Sequence, residues 1–117
     1  MDKNTEISLL FDFYGQLLSV KQHEAVSLYC NDDLSLSETA EVMGITRQGV
    51  RDLVKRSQAE LYEYEEKLGL YKRFEGVTEC AKNIRALAES VSTDDENVKS
   101  VIMQIISLTQ KLEQQEE

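Results

Sequence analysis

The stretch Ser35–Arg56, SLSETAEVMGITRQGVRDLVKR, narrows the choice of fold more than any other part of the chain. Ser35 followed three residues later by Glu38 is a capping box, so a helix is expected to start at Leu36. Gly44 stands where that helix must stop and the chain must turn sharply. Glycine takes the left-handed backbone needed there at little cost. Ala40 is small enough to let a second helix cross the first closely. Thr46 can cap that second helix, and Val50, Leu53 and Val54 fall on one face of it. Two short amphipathic helices around a glycine turn make a helix-turn-helix.

The outward face of the second helix carries Arg47, Gln48, Arg51 and Lys55. Arg47, Arg51 and Lys55 recur every fourth residue, so they line one side. In a helix-turn-helix that side enters a major groove, with the first residues nearest the bases. The same hairpin can instead serve protein contact, which is the competing reading. Charge bears on the choice. Thirteen basic and twenty-two acidic residues give −9, whereas phosphate contacts supply most of a DNA binder's affinity and favour a basic protein. The distribution is uneven. Gly44–Ser57 holds Arg47, Arg51, Lys55 and Arg56 against Asp52, a local +3, while Gln58 onward holds thirteen acids and seven bases, or −6. A basic helix on an acidic body fits context-dependent nucleic-acid binding, and also fits a protein partner.

The chain has no proline and five glycines, which favours long helices. A first helix is expected over about Asn4–Leu18, with Ile7, Leu10, Phe11, Tyr14, Leu17 and Leu18 inward. Ser19 and Gln22 form a second capping box, opening a helix to about Cys30 with Val26, Tyr29 and Cys30 inward. The helix that begins near Arg47 meets no stop signal before Gly69. Its apolar seam runs Val50, Val54, Ser57, Leu61, Tyr64, Leu68. The far half, with Glu60, Glu63, Glu65 and Glu66, reads as an acidic strut against the C-terminal helices or a second subunit. Leu70 to about Ala88 keeps helical spacing through Tyr71, Phe74, Val77, Ala81, Ile84 and Leu87 or Ala88. Thr93 and Glu96 suggest a third capping box. The last helix then places Val98, Val101, Ile105, Leu108 and Leu112 at three-four spacing, broadened by Ile102 and Ile106. The expected organisation is all-α: residues 1–68 as the helix-turn-helix domain, and residues 69–117 as a helical extension packing on it in a single compact unit. Apolar stripes in excess of one small bundle point to a homodimer.

No strand pattern, glycine-rich phosphate loop, HExxH or Ser/His/Asp arrangement occurs, so no enzyme, cofactor or metal site is expected. Acid groups such as Glu63-Glu65-Glu66 and Asp94-Asp95-Glu96 lack calcium-loop spacing. Cys30 and Cys80 have no partner spacing and read as reduced, buried or half-buried thiols. His23, among Lys21, Gln22 and Glu24, reads as solvent-facing. The apolar runs are too short to span a bilayer and the start, MDKNTEIS, has no signal-peptide pattern, so a soluble cytoplasmic protein is expected.

The run LLSVKQHEAVSLYCNDDLSLSETAEVMGITRQGVRDLVKR resembles the C-terminal DNA-binding region of bacterial sigma factors, a helix-turn-helix without a wing. The chain resembles the small bacterial YlxM family more closely. FDFYGQLLSVKQ, SLYCNDDLSLSETAEVMGITRQGVRDLVKR and ELYEYEEKLGLY carry the likeness, from about Leu9 to Tyr71. The resemblance implies a regulatory helix-turn-helix protein, an accessory of the signal recognition particle pathway. Its implied partners are DNA, the particle's RNA, or the particle's GTPases as protein partners. The contacts it implies are Arg47, Gln48, Arg51, Lys55 and Arg56, with Ser35 and Thr46 at helix N-termini. Two residues depart from the pattern. Gly49 stands where such motifs favour alanine, and Arg51 where an aromatic is common.

Overall fold

Five of the six α-helices among the described residues begin at a short polar side chain that answers their first free amides. In the computed structural model, which describes residues 2–114, α1 spans Lys3–Tyr14 and its cap Asp2 accepts from the Thr5 amide at 2.8 Å. The helix then tightens into a 3₁₀ turn at Gly15–Leu17. A Cβ on Gly15 would lie 3.0 Å from the Phe11 ring, so a larger residue here would have to displace that ring. The expectation of a helix to Leu18 is therefore corrected. Leu18 still enters the core, but the tighter turn swings Leu17 out to 55% exposure.

The Ser19–Gln22 capping box forms in full and opens α2, Val20–Val26. Instead of continuing as α-helix to Cys30, the chain widens into a π-type turn at Ser27–Asn31. Val26 is buried; Tyr29 and Cys30 are half-buried. Ala25 and Gln22 are buried too, and Gln22 donates its amide to the Glu60 carboxylate. Next come α3, Leu36–Met43, and α4, Arg47–Leu68, which ends at Gly69 in the left-handed region (φ 63°). Two apolar clusters lie along α4. Ile7, Leu10, Tyr14, Leu18, Val26 and Leu61 form one; Ala25, Ala40, Val50 and Val54 form the other.

The acidic half of α4 finds partners on α1, on α2 and at the start of α5. The Tyr14 hydroxyl donates to Glu65 at 2.6 Å and accepts from the Leu70 amide at 2.9 Å. Glu65 also accepts from the Tyr71 amide at 3.1 Å, and Tyr62 donates to Glu6. Burial first, and the Glu65 bond second, push the Tyr14 phenol above its ordinary value. The Glu6 bond pushes Tyr62 up to about 12.

Packing divides the chain into residues up to Tyr71 and residues from Lys72 onward. The second unit holds most of α5, Leu70–Glu89, and all of α6, Glu96–Glu113. The Thr93–Glu96 box does not form. Asp95 caps α6, accepting from Asn97 at 2.8 Å and Val98 at 3.2 Å, while Thr93 accepts from the Asp95 amide. A carboxylate that satisfies two amides displaces the weaker hydroxyl cap. Buried side chains among the described residues of this unit are Ala81, Ala88 and Thr109. Arg85 pairs with Glu113 at 3.0 Å.

The three-four seam of α6 and part of that of α5 face solvent. On α6, Val98, Val101, Ile105, Leu108 and Leu112 are 36–60% exposed, while Ile102, Ile106 and Thr109 are the sheltered stripe. On α5, Ala81 and Ala88 point inward, whereas Val77, Ile84 and Leu87 are exposed, as is Val91 beyond its end. Three-four spacing repeats on both sides of α6, and burial selects one of them. Both cysteines are free. Cys30 is half-buried and Cys80, on the outer side of α5, is exposed rather than sheltered. The described residues contain no strand, hence no wing, and no helix is long and apolar enough to cross a membrane.

Candidate nucleic-acid interface

Local chemistry builds the helix-turn-helix. The Ser35 hydroxyl oxygen accepts from the Glu38 amide at 3.0 Å, and the Ser35 amide donates to the Glu38 carboxylate at 2.9 Å. Those bonds to Ser35 hold Glu38 below the ordinary carboxylate value. Gly44 closes α3 with φ 69°, its amide reaching back to Ala40 and Glu41. The Thr46 hydroxyl oxygen accepts from the Gly49 amide at 2.9 Å and starts α4. A Cβ on Gly49 would come within 3.1 Å of that oxygen, so glycine leaves the cap undisturbed where alanine is common. Behind the turn, Val50 and Val54 are buried against Ala25 and Ala40, with Leu36, Met43, Ile45 and Leu53 closing around them. Ala40 and Val50 let α3 and α4 cross closely, as their size requires. Thr39 is fully buried, with no hydrogen-bond partner for its hydroxyl.

This packing turns one side of α4 outward. Arg47, Gln48, Arg51, Lys55 and Arg56 are all exposed. The ion pairs among the described residues involve none of these four cations. Gln48 is not free: its side-chain amide donates to Asp52 at 2.9 Å. Ser35, Arg47, Gln48 and Arg51 meet around one groove of about 860 Å³, together with Asn4, Tyr29 and Gln58. Arg51 and Lys55 line a neighbouring groove of about 450 Å³ with Lys3 and Asn4. Thr46 and Arg56 line neither. Lys3, Asn4 and Gln58 carried no sequence signal, because nothing local ties the start of α1 to α4. Cys30 borders the larger groove, and burial pushes its thiol up, away from the reactive thiolate. No group of three or more metal-ligating side chains occurs among the described residues.

A helix-turn-helix with a 22-residue second helix, no wing and two further helices narrows the comparison with known proteins. Residues 1–105 match the family UPF0122, described as "Putative helix-turn-helix protein, YlxM / p13 like". The chain belongs to this family. A UPF0122 protein of Bacillus cereus (strain AH187) is 41% identical over 113 residues, covering 97% of this chain and 99% of its own. A UPF0122 protein of Clostridium perfringens (strain 13) is 41% identical over 102 residues, covering 87% and 91%. The likeness to YlxM drawn from the sequence is thus a membership. It reaches well past Tyr71, so α5 and most of α6 belong to the UPF0122 pattern as well.

Proposed function

We propose that this UPF0122 protein is a regulator that binds nucleic acid through α4, acting as an accessory of the signal recognition particle pathway. One observation carries the reading. Four exposed cations without ion pairs, Arg47, Arg51, Lys55 and Arg56, sit on the second helix of a helix-turn-helix in a chain of net charge −9. Neutralising so acidic a body needs no such ridge; phosphate recognition does. Arg47 or Gln48, near the N-terminal end of α4, would touch base edges, and Arg51, Lys55 and Arg56 would hold phosphates. The Thr46 and Ser35 hydroxyls cap their helices as acceptors and keep a proton to donate to a phosphate oxygen. The kinship with YlxM supports the particle's RNA, or DNA, as the target. On RNA the ridge would hold backbone or loops, since the deep A-form major groove excludes a helix. A dimer would carry two such ridges.

The test is titration of labelled duplex DNA and of the particle's RNA at several salt concentrations. Three to four phosphate contacts give a slope of log affinity against log salt of about −3 on duplex DNA. Arg47→Glu combined with Arg51→Glu and Lys55→Glu should abolish the salt-dependent binding. If the triple variant binds both nucleic acids as tightly as the parent, the reading is wrong. The remaining explanation is then a protein-contact module acting on the particle's GTPases, which the net acidity favours.

A further inference from the structure

Val77, Ile84 and Leu87 of α5 and the three-four seam of α6 have no occupant within the second unit, yet they carry most of its exposed apolar surface. By fractional exposure these side chains leave roughly 700 Å² per chain, somewhat more than half of it on α6, against about 800 Å² for one partner's share of a standard specific interface. Three buried side chains, Ala81, Ala88 and Thr109, are too few to hold a unit of this length folded without help. Charge identifies the occupant. The chain is 30% charged, yet Ser100–Gln110 contains no ionisable residue. Two molecules that each carry −9 repel one another over most of their surface. Along this run there is nothing to repel, and a basic or acidic partner would find nothing to pair with. The three-four repeat Val98, Val101, Ile105, Leu108, Leu112 is moreover the pattern by which one helix receives another like itself.

We propose that a second copy of this chain covers these seams, α6 against α6, making a homodimer through the C-terminal unit. The proposal does not depend on nucleic-acid binding, and the two fail separately. A helix partner reading Val101 and Leu108 at the centre buries 54% and 60% exposed side chains, so a charge there should weaken association roughly a hundredfold or more.

Sedimentation equilibrium of the full chain should give twice the 13.4 kDa chain mass. Val101→Glu with Leu108→Glu should return it to one chain mass, with the thermal transition of the first unit unchanged. Met103→Glu, exposed but off the seam, should leave the dimer intact. Because the double variant could unfold α6, the parent protein supplies a second reading. A lysine-reactive cross-linker is added to a mixture of ¹⁴N and ¹⁵N chains. Mixed-isotope links should join Lys99 and Lys111, which flank the seam. A monomeric parent, or mixed-isotope links that avoid both lysines, overturns the proposal.

Discussion

Tyr14→Phe isolates the join between α1, α4 and the start of α5. The ring is 1% exposed and phenylalanine keeps its packing, so the loss is confined to one oxygen. That oxygen donates to Glu65 at 2.6 Å and accepts from Leu70 at 2.9 Å. The first bond has a carboxylate acceptor and contributes about 1.5–3 kcal/mol; the second is neutral and contributes about 1 kcal/mol. Glu65 retains the Tyr71 amide, and the Leu70 amide lies near the surface, where water can partly replace the lost acceptor. The net cost should be about 2 kcal/mol, less than the sum of the two bonds. In a unit of this size that lowers the melting temperature by about 10 °C. Urea unfolding followed by circular dichroism should show a lower midpoint at unchanged slope. Hydrogen exchange should quicken at Leu70 and Tyr71 before it does at Leu61. A loss below about 0.5 kcal/mol, or uniform exchange changes, would mean the hydroxyl is solvated and the join rests on packing alone.

Four further outcomes follow from the same geometry. Gly44→Val forces a branched side chain to φ 69° and should cost more than about 1 kcal/mol, whereas Gly44→Asn should come close to the parent in the same melt. Thr39→Val keeps the shape and removes a sealed, unpartnered hydroxyl, so denaturant unfolding should show a gain of about 1 kcal/mol. Tyr14 and Tyr62 are raised above the ordinary 10.0. Their contribution is therefore whole below pH 10 and lost as pH rises through their folded values, toward about 12 for Tyr62. Tyr62→Phe should flatten the alkaline limb of a pH–stability curve. Asp52→Asn removes the acid that holds Gln48 and should tighten nucleic-acid binding several-fold while steepening its salt dependence.

Where a backbone amide and a side chain within three or four residues decide the outcome, the sequence sufficed. Ser19–Gln22, Ser35–Glu38, Thr46, Gly44 and Gly69 all act at that range, and with them come α3, the turn and the full length of α4. Asp95 against Thr93 shows the limit even there, since two caps two residues apart compete and only their geometry ranks them. Beyond that range the reading lost its hold. Glu65 and Glu60 of α4 pair with Tyr14 of α1 and Gln22 of α2, and Tyr62 of α4 pairs with Glu6 of α1, each across more than thirty-five positions. The end of α1 tightens into a 3₁₀ turn at Gly15–Leu17, which helical spacing does not foretell. On α6 two stripes with the same spacing competed, and the sheltered one was Ile102, Ile106 and Thr109. The cationic ridge was legible because exposure of every fourth residue on a helix follows from its opposite face being buried. Its neighbours Lys3, Asn4 and Gln58 were not, because a groove joins segments that no local rule relates.

The positions of charge have one more consequence. Dissolved ions act on the guanidinium and ammonium groups of α4, whose attractions fade as the Debye length shrinks. Along Ser100–Gln110 they find no charge to shield, and added sulfate would if anything tighten apolar contact there. Ionic strength thus acts on the cations of α4 and finds little to act on along this run of α6.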